Sequence, residues 1–266
     1  MHSSMKKILI IGRKSFLGSN LKIYLSKFYK VDCYSYEKII LKSISFFDHY
    51  SHIINTTIHK SYINKKYNIK YDLDRNFLRK FLKINFYYIY LNSRKIYSPK
   101  ENIIENSHIL PIENYARNKI ITERFLKKKC KGKFISLRIS NVIGRRIFKN
   151  LRNNHKLFFD NFLQYRKNKK KIIVNNDFKD FISINQFSKV IKQIIKYDIK
   201  GIYNVSIGQK VYISEIVQWL DKNFLKNIKF VESKKDSFTL SNKKLLKKIK
   251  IDLSKNQLKL FCKKLI

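Results

Sequence analysis

Lys6-Lys7-Ile8-Leu9-Ile10-Ile11-Gly12-Arg13-Lys14-Ser15-Phe16-Leu17-Gly18, near the start of the chain, is a continuous apolar run broken at a glycine. A strand buried on both faces of a parallel sheet enters its turn in this way. Leu17, Leu21, Leu25 and Phe28 follow at helical spacing, and residues 31–34 read as a second short strand. Further buried-strand candidates lie at 51–55, 86–91 and 134–139, separated by helical stretches near 73–82 and 115–128. Strands alternating with helices predict an α/β fold, a doubly wound parallel sheet with right-handed crossovers.

After Ile139 the rhythm changes. Residues 141–171 show no clear strand, 180–184 read as a strand, 186–197 as a helix, 202–205 as a strand that returns to the main sheet, and 213–224 as an amphipathic helix. With no repeat, no low-complexity linker and only two prolines, the second lobe is expected to be interleaved with the first. Residues 5–140 with about 178–206 would form the main domain, and 141–177 with 207–266 a smaller lobe.

At 266 residues and 44% hydrophobic content the chain can bury a substantial core. No apolar run approaches the roughly 18 residues of a membrane span, and the N-terminus lacks a signal-peptide profile. Residues 1–4 are excluded as a tag or an upstream start. Cys33, Cys130 and Cys262 are few, odd in number and far apart, which argues against a disulfide framework or a zinc cluster. These features point to a soluble cytoplasmic protein. The net charge of +41 invites a nucleic-acid reading, since clustered cations bind phosphate irrespective of sequence. The cations are instead scattered among abundant Ile, Asn, Phe and Tyr, all with A/T-rich codons, so coding bias is the preferred explanation. Non-specific nucleic-acid binding at low salt is expected either way.

Gly12 and Gly18 flank the junction of the first strand and the first helix. There a doubly wound sheet receives the pyrophosphate of a dinucleotide, with glycines allowing close backbone approach and the helix N-terminus facing the phosphates. Residues 12–18 are the expected cofactor loop. Tyr115 and Lys119 stand four apart, so on a helix the ammonium can sit beside the phenol and favour its ionised form. The same spacing occurs at Tyr34/Lys38, Tyr62/Lys66 and Tyr165/Lys169. Only Tyr115 follows a strand-end serine, Ser93, by 22 residues. Each of the three also has a plain structural reading: a turn-capping hydroxyl, a helix aromatic and a solvated cation.

In this order, Gly12 to Gly18, Ser93, and Tyr115 with Lys119 resemble the extended short-chain dehydrogenase/reductase superfamily, in particular its NAD-dependent nucleotide-sugar epimerases, dehydratases and reductases. The resemblance runs nearly end to end. Ile53-Ile54-Asn55-Thr56-Thr57 is similar to the family's strand that ends along the cofactor, and Leu91-Asn92-Ser93-Arg94-Lys95-Ile96-Tyr97 to the strand ending in the catalytic Ser or Thr. Leu137-Arg138-Ile139-Ser140-Asn141-Val142-Ile143-Gly144 and Lys179-Asp180-Phe181-Ile182 resemble its substrate segments. The resemblance implies a Rossmann-type sheet, with Ser93, Tyr115 and Lys119 as the catalytic set. It implies Gly12, Arg13, Lys14, Ser15, Phe16, Leu17, Gly18, Asn55, Thr56 and Lys119 at the cofactor. It implies Ser93, Asn141, Lys179 and Phe181 at a nucleotide-sugar, and a homodimer through the helices near 73–82 and 115–128.

Three departures bear on function. Ser15 stands where the loop's middle glycine is usual. Tyr34-Ser35-Tyr36, at the end of the second strand, lacks the carboxylate that would take the adenosine ribose of NAD, which with Arg13 and Lys14 modestly favours NADP. Arg94-Lys95 replaces the Asp-Glu of the resembling 4,6-dehydratases, and Lys179 replaces an arginine, keeping the charge without the bidentate fork. The expected activity is therefore a nucleotide-sugar 4-epimerase or 4-keto reductase. The alternatives are an enzyme of another small carbonyl compound, or a silent protein of the same fold that binds RNA or a partner.

Overall fold

The computed structural model describes residues 5–81, 85–130, 132–148, 158–168, 171–233 and 236–266. In chain order the elements are β1 (Lys7–Ile11), α1 (Phe16–Leu25), β2 (Lys30–Tyr34), α2 (Tyr36–Ile40), β3 (His52–Asn55), α3 (Lys60–Asn64), α4 (Leu73–Phe81), β4 (Tyr87–Ser93), α5 (Asn114–Lys129) and β5 (Phe134–Ile139). There follow β6 (Asn141–Ile143), α6 (Phe158–Asn168), β7 (Ile172–Asn175), β8 (Phe178–Lys179), β9 (Phe181–Ser183), α7 (Ile184–Tyr197), β10 (Gly201–Val205), β11 (Val211–Tyr212), α8 (Ile213–Leu220), β12 (Ile228–Val231), α9 (Lys243–Leu246) and α10 (Lys255–Lys263). The expected helix end at Leu82 and the partner Lys169 of Tyr165 lie outside the described residues.

The main sheet has the order β10-β5-β4-β3-β1-β2, and β1 pairs in parallel with both β2 and β3. This is the expected doubly wound α/β sheet. Strand order reverses at β1: the chain leaves it towards β2 and then crosses to β3 on the other side. The crevice at such a switch point is where a sheet of this kind takes its ligand.

The chain divides into two compact units: residues 1–98, 108–138 and 191–203, and residues 99–107, 139–190 and 204–266. The first holds an aromatic core. Phe77 on α4 lies 5.6 Å from Phe47, 4.9 Å from Phe81 and 6.1 Å from Tyr88, ring centre to ring centre. Apolar residues at 73, 77, 78 and 81 explain why α4 buries this face. Deep in the same unit, Glu123 accepts from Arg138 at 2.7 Å, from Asn92 at 2.7 Å and from Ser136. The carboxyl is held below its usual range against the cost of burial, chiefly by Arg138.

The second unit has its own core, in which Phe162 meets Phe224 edge-on at 5.6 Å and Ile216 is buried. Two of its pairings were not legible in the sequence: β7 with β12, and β6 with β9. Of the expected strand at 180–184, residues 181–183 form β9; Asp180 stands before it and accepts the N–H groups of Leu240 at 2.9 Å and Gly208 at 3.3 Å, and Ile184 begins α7. Burial pushes the Asp180 carboxyl up to about 7, although those hydrogen bonds favour its charged form.

Because Phe77 is fully buried among four aromatic neighbours, Phe77→Ala should destabilise the protein by about 3–5 kcal/mol, read as a drop in the urea midpoint. An unchanged midpoint would show that this cluster does not hold the unit together.

Candidate functional site

The loop between β1 and α1 is closed by hydroxyl groups. Thr56 Oγ1 donates to Ile11 O at 2.8 Å, so in its 2.6 Å bond with Ser15 the serine is the donor. Ser15 Oγ also accepts the Gly18 N–H at 2.9 Å and thereby caps α1. A Cβ on Gly18 would lie 2.3 Å from Gly12 O, and one on Gly12 2.3 Å from Thr56 Oγ1, so neither position admits a side chain. Gly12 also has φ +118°, the region that favours glycine. Ser15 thus occupies the middle position of the loop without a clash, by taking over one helix N–H.

The first-turn N–H groups of Phe16 and Leu17 have no acceptor within the helix. No acidic residue stands in that turn, and the exposed Arg13 and Lys14 pair with no carboxylate among the described residues. The result is a cationic, donor-rich helix end suited to a diphosphate. Asn55 orders the adjoining turn: its Oδ1 accepts from Thr57 N at 3.0 Å and Thr57 Oγ1 at 2.6 Å, and its Nδ2 donates to Asp74 at 3.0 Å. In the middle of β2, Asp32 is already engaged by Lys7 at 3.1 Å and Tyr50 at 2.5 Å.

Ser93 ends β4, and its hydroxyl accepts from Lys95 N at 3.3 Å. The Lys95 ammonium donates to both oxygens of Glu113, the residue that precedes α5, two positions before Tyr115. Lys119 is 6% exposed and donates to Leu91 O at 2.9 Å, on the same strand as Ser93. Its other two donors meet no acceptor among the described residues. Three tyrosine rings surround the ammonium, centred 4.7 Å away for Tyr90, 5.8 Å for Tyr62 and 5.9 Å for Tyr115. Tyr90 donates to Lys119 O and Tyr62 is bonded to Thr122, and burial pushes both phenols well up. Tyr115 is half-buried, which leaves it as the reachable phenol of the three. The Tyr62/Lys66 spacing therefore belongs to a core tyrosine.

Asp74 was missed by sequence reasoning, because a carboxylate among the apolar positions of α4 carries no motif. It accepts from Tyr88 at 2.7 Å as well as from Asn55. Burial pushes it up to about 6 against the pull of the Lys119 charge. In the second unit, Asn141 and Phe181 are register partners across β6 and β9. Phe181 is 1% exposed and meets Phe158 edge-on, so its ring serves the core. Lys179 donates to Asp236 at 2.8 Å, with Asp177 at 4.0 Å.

Residues 46–206 match the model of the NAD dependent epimerase/dehydratase family, and the chain belongs to that family. It is an NAD(P)-dependent enzyme of the extended short-chain dehydrogenase/reductase type. The match begins beyond the loop that carries Ser15. The chain is similar in structure to the UDP-N-acetylglucosamine 4-epimerase of Methanobrevibacter ruminantium M1 in complex with UDP-N-acetylmuramic acid, at 17% identity and a TM-score of 0.78, over 98% of this chain and 97% of that one. It is similar to the enzyme WbmG of Bordetella bronchiseptica in complex with NAD, at 18% identity and a TM-score of 0.74, over 98% and 94%. The dTDP-4-dehydrorhamnose reductase of Bacillus anthracis in complex with NADP gives 14% identity and a TM-score of 0.75, over 97% and 98%. At such identities the likeness is one of fold. No curated protein matches the chain. Among the described residues no helix is long and apolar enough to cross a membrane, and no group of His, Cys, Asp and Glu could hold a metal ion.

Asp74 holds its proton up to about pH 6 when folded but only to about 4 when unfolded. Its folded pKa is raised, so the stability it allows is full below about pH 4 and is lost as the pH rises through about 6. Urea midpoints measured from pH 4 to pH 7 should therefore move in favour of Asp74→Asn, relative to wild type, by on the order of 2 kcal/mol. Parallel pH profiles would remove the buried charge from this account.

Proposed function

We propose that this enzyme acts on a nucleotide-sugar, either epimerising C4 through a transient ketone or reducing a 4-keto group. The observation that carries this reading is the buried Lys119 ammonium, fixed by Leu91 O, with two donors that meet no acceptor among the described residues and the half-buried Tyr115 phenol beside it. Tyr115 transfers the proton at the sugar oxygen, with the Lys119 ammonium beside its ring, and Ser93 donates a hydrogen bond to that oxygen. The similar structures include a UDP-sugar 4-epimerase and a 4-keto reductase, which supports the same substrate class.

NAD or NADP fits the residues present. The diphosphate would meet the N–H groups of Phe16 and Leu17 with Arg13 and Lys14 beside them, and Lys119 would hold the nicotinamide ribose. When bound, the nicotinamide supplies the hydride acceptor and donor. NADP is modestly favoured, since the end of β2 offers no free carboxylate. Asn141 and Lys179 are the candidate contacts for the nucleotide-sugar.

Tyr115→Phe should lower kcat by on the order of 10²- to 10⁴-fold on the best of a panel of nucleotide-sugars and their 4-keto derivatives, with cofactor binding kept. Undiminished turnover would sink the assignment. Cofactor retained through purification and epimer formed without added NADPH would select the epimerase; turnover dependent on added NADPH would select the reductase. Ser15→Gly returns a glycine to the loop and frees the Gly18 N–H. It should tighten cofactor binding several-fold by fluorescence titration, at a cost of only a few tenths of a kcal/mol in stability. Weaker binding in that variant would mean that the Ser15 hydroxyl itself contacts the cofactor.

A further inference from the structure

The end of β4 that carries Ser93 is tied to α5 at three successive residues. Tyr90 donates to Lys119 O at 3.1 Å, Leu91 O accepts from the Lys119 ammonium at 2.9 Å, and Asn92 Nδ2 donates to Glu123 Oε2 at 2.7 Å. The register of β4 with β3 stops at Ile89, short of this end. Tyr115, Lys119 and Glu123 recur every four residues and so share one face of α5. Asn92 is 3% exposed and its amide is used at both ends: Oδ1 accepts the Ser93 N–H at 2.8 Å while Nδ2 faces Glu123. The carboxylate sets that orientation. Against the cost of burial, Arg138 and the other donors hold Glu123 below its usual range, so it is ionised and can only accept. Asn92 must therefore turn its NH2 group to Glu123 and its oxygen to Ser93. Arg138 donates to Glu123 Oε1 at 2.7 Å and to the Tyr97 hydroxyl at 2.6 Å, and Tyr97 N closes the turn after β4 on Arg94 O at 3.0 Å. One buried ion pair thus reaches the chain both before and after Ser93.

We propose that Asn92 and Glu123 are positioning residues for Ser93: the amide locked between Glu123 and the Ser93 N–H fixes the backbone from which the Ser93 hydroxyl reaches the sugar oxygen. The inference rests on the role given to Ser93 in the proposed reaction and goes beyond it, because both residues are buried and act through Ser93 rather than on the sugar. One face of α5 then serves the reaction twice. Tyr115 and Lys119 stand in the site, and Glu123, one turn further on, holds the strand that brings Ser93 to them. A purely fold-stabilising role would account for the Glu123–Arg138 pair and for Ser136. It does not require an amide that commits its oxygen to the N–H of the next residue. A displacement of the reacting groups by about 1 Å is enough to cost on the order of 10²-fold in rate.

Glu123→Gln would leave the buried Arg138 uncompensated and endanger the fold. The test therefore uses Asn92→Ala, which keeps the ion pair, and Ser136→Ala, which takes a different hydrogen bond from the same carboxylate. Both should lower the melting temperature. Ser93→Ala and the double variant Asn92→Ala/Ser93→Ala complete a cycle. On the best of the panel of nucleotide-sugars and 4-keto derivatives, Asn92→Ala should lower kcat by about 10- to 100-fold with KM little changed, while Ser136→Ala stays within about twofold of wild type. Once Ser93 is gone, Asn92→Ala should cost nothing further. Amide exchange into heavy water reads the same contact without substrate. The Ser93 amide of serine-labelled protein, assigned by its loss in Ser93→Ala, should exchange at least about tenfold faster in Asn92→Ala than in wild type or Ser136→Ala. Undiminished kcat in Asn92→Ala, additive losses in the double variant, an equal kcat loss in Ser136→Ala or an unaltered Ser93 amide would overturn the inference while the proposed reaction stands. Full kcat in Ser93→Ala would instead remove the role of Ser93, and the inference with it.

Discussion

One hydroxyl, that of Thr56, sets the geometry around which the first unit is arranged. It donates to Ile11 O at the end of β1 and accepts from Ser15 at the start of α1, so a residue following β3 locks the first turn of the chain. The close approach excludes a Cβ at Gly12 and at Gly18, and it gives Ser15 a partner that the usual glycine would not need. The cationic helix end is thereby held at the switch point of the sheet. Strand order and helix capping meet in two side-chain oxygens and two missing side chains.

A second constraint is the buried ammonium of Lys119. A charge in an apolar interior must be compensated, and here a backbone carbonyl, aromatic faces and the Asp74 carboxyl share that work. The consequence is selective. Tyr62 and Tyr90 are tied into the core and their phenols are pushed up, whereas Tyr115 keeps access. The Lys95–Glu113 pair joins the turn after β4 to the residue before α5, and as an exposed pair it adds little to stability.

The excess positive charge has two characters. Exposed lysines are scattered over both units. Arg75 and Arg79 on α4 line a groove with Phe125 and Lys129 of α5, while Asp74 and Glu123 on the same helices are buried. Net charge alone cannot separate these cases, because helical spacing decides which cations share a face.

The sequence by itself determined the α/β class, the strands β1 and β5, the helix α5 and the glycine loop, because continuous apolar runs, helical periodicity and a glycine at a strand end are local signals. It also determined the order of Ser93, Tyr115 and Lys119. Only the tertiary structure decided that Asp74 is buried against Asn55 and Tyr88, that Asn55 shapes a turn, that Phe181 belongs to a core, and that β7 pairs with β12 across more than fifty residues. Those facts depend on contacts between distant segments, and a carboxylate or an aromatic has no local pattern that reveals what it will be buried against. Among four equivalent Tyr/Lys spacings the sequence could use only order along the chain. Burial distinguished Tyr115 from Tyr62, because a phenol bonded inside a core is closed to proton exchange with a substrate.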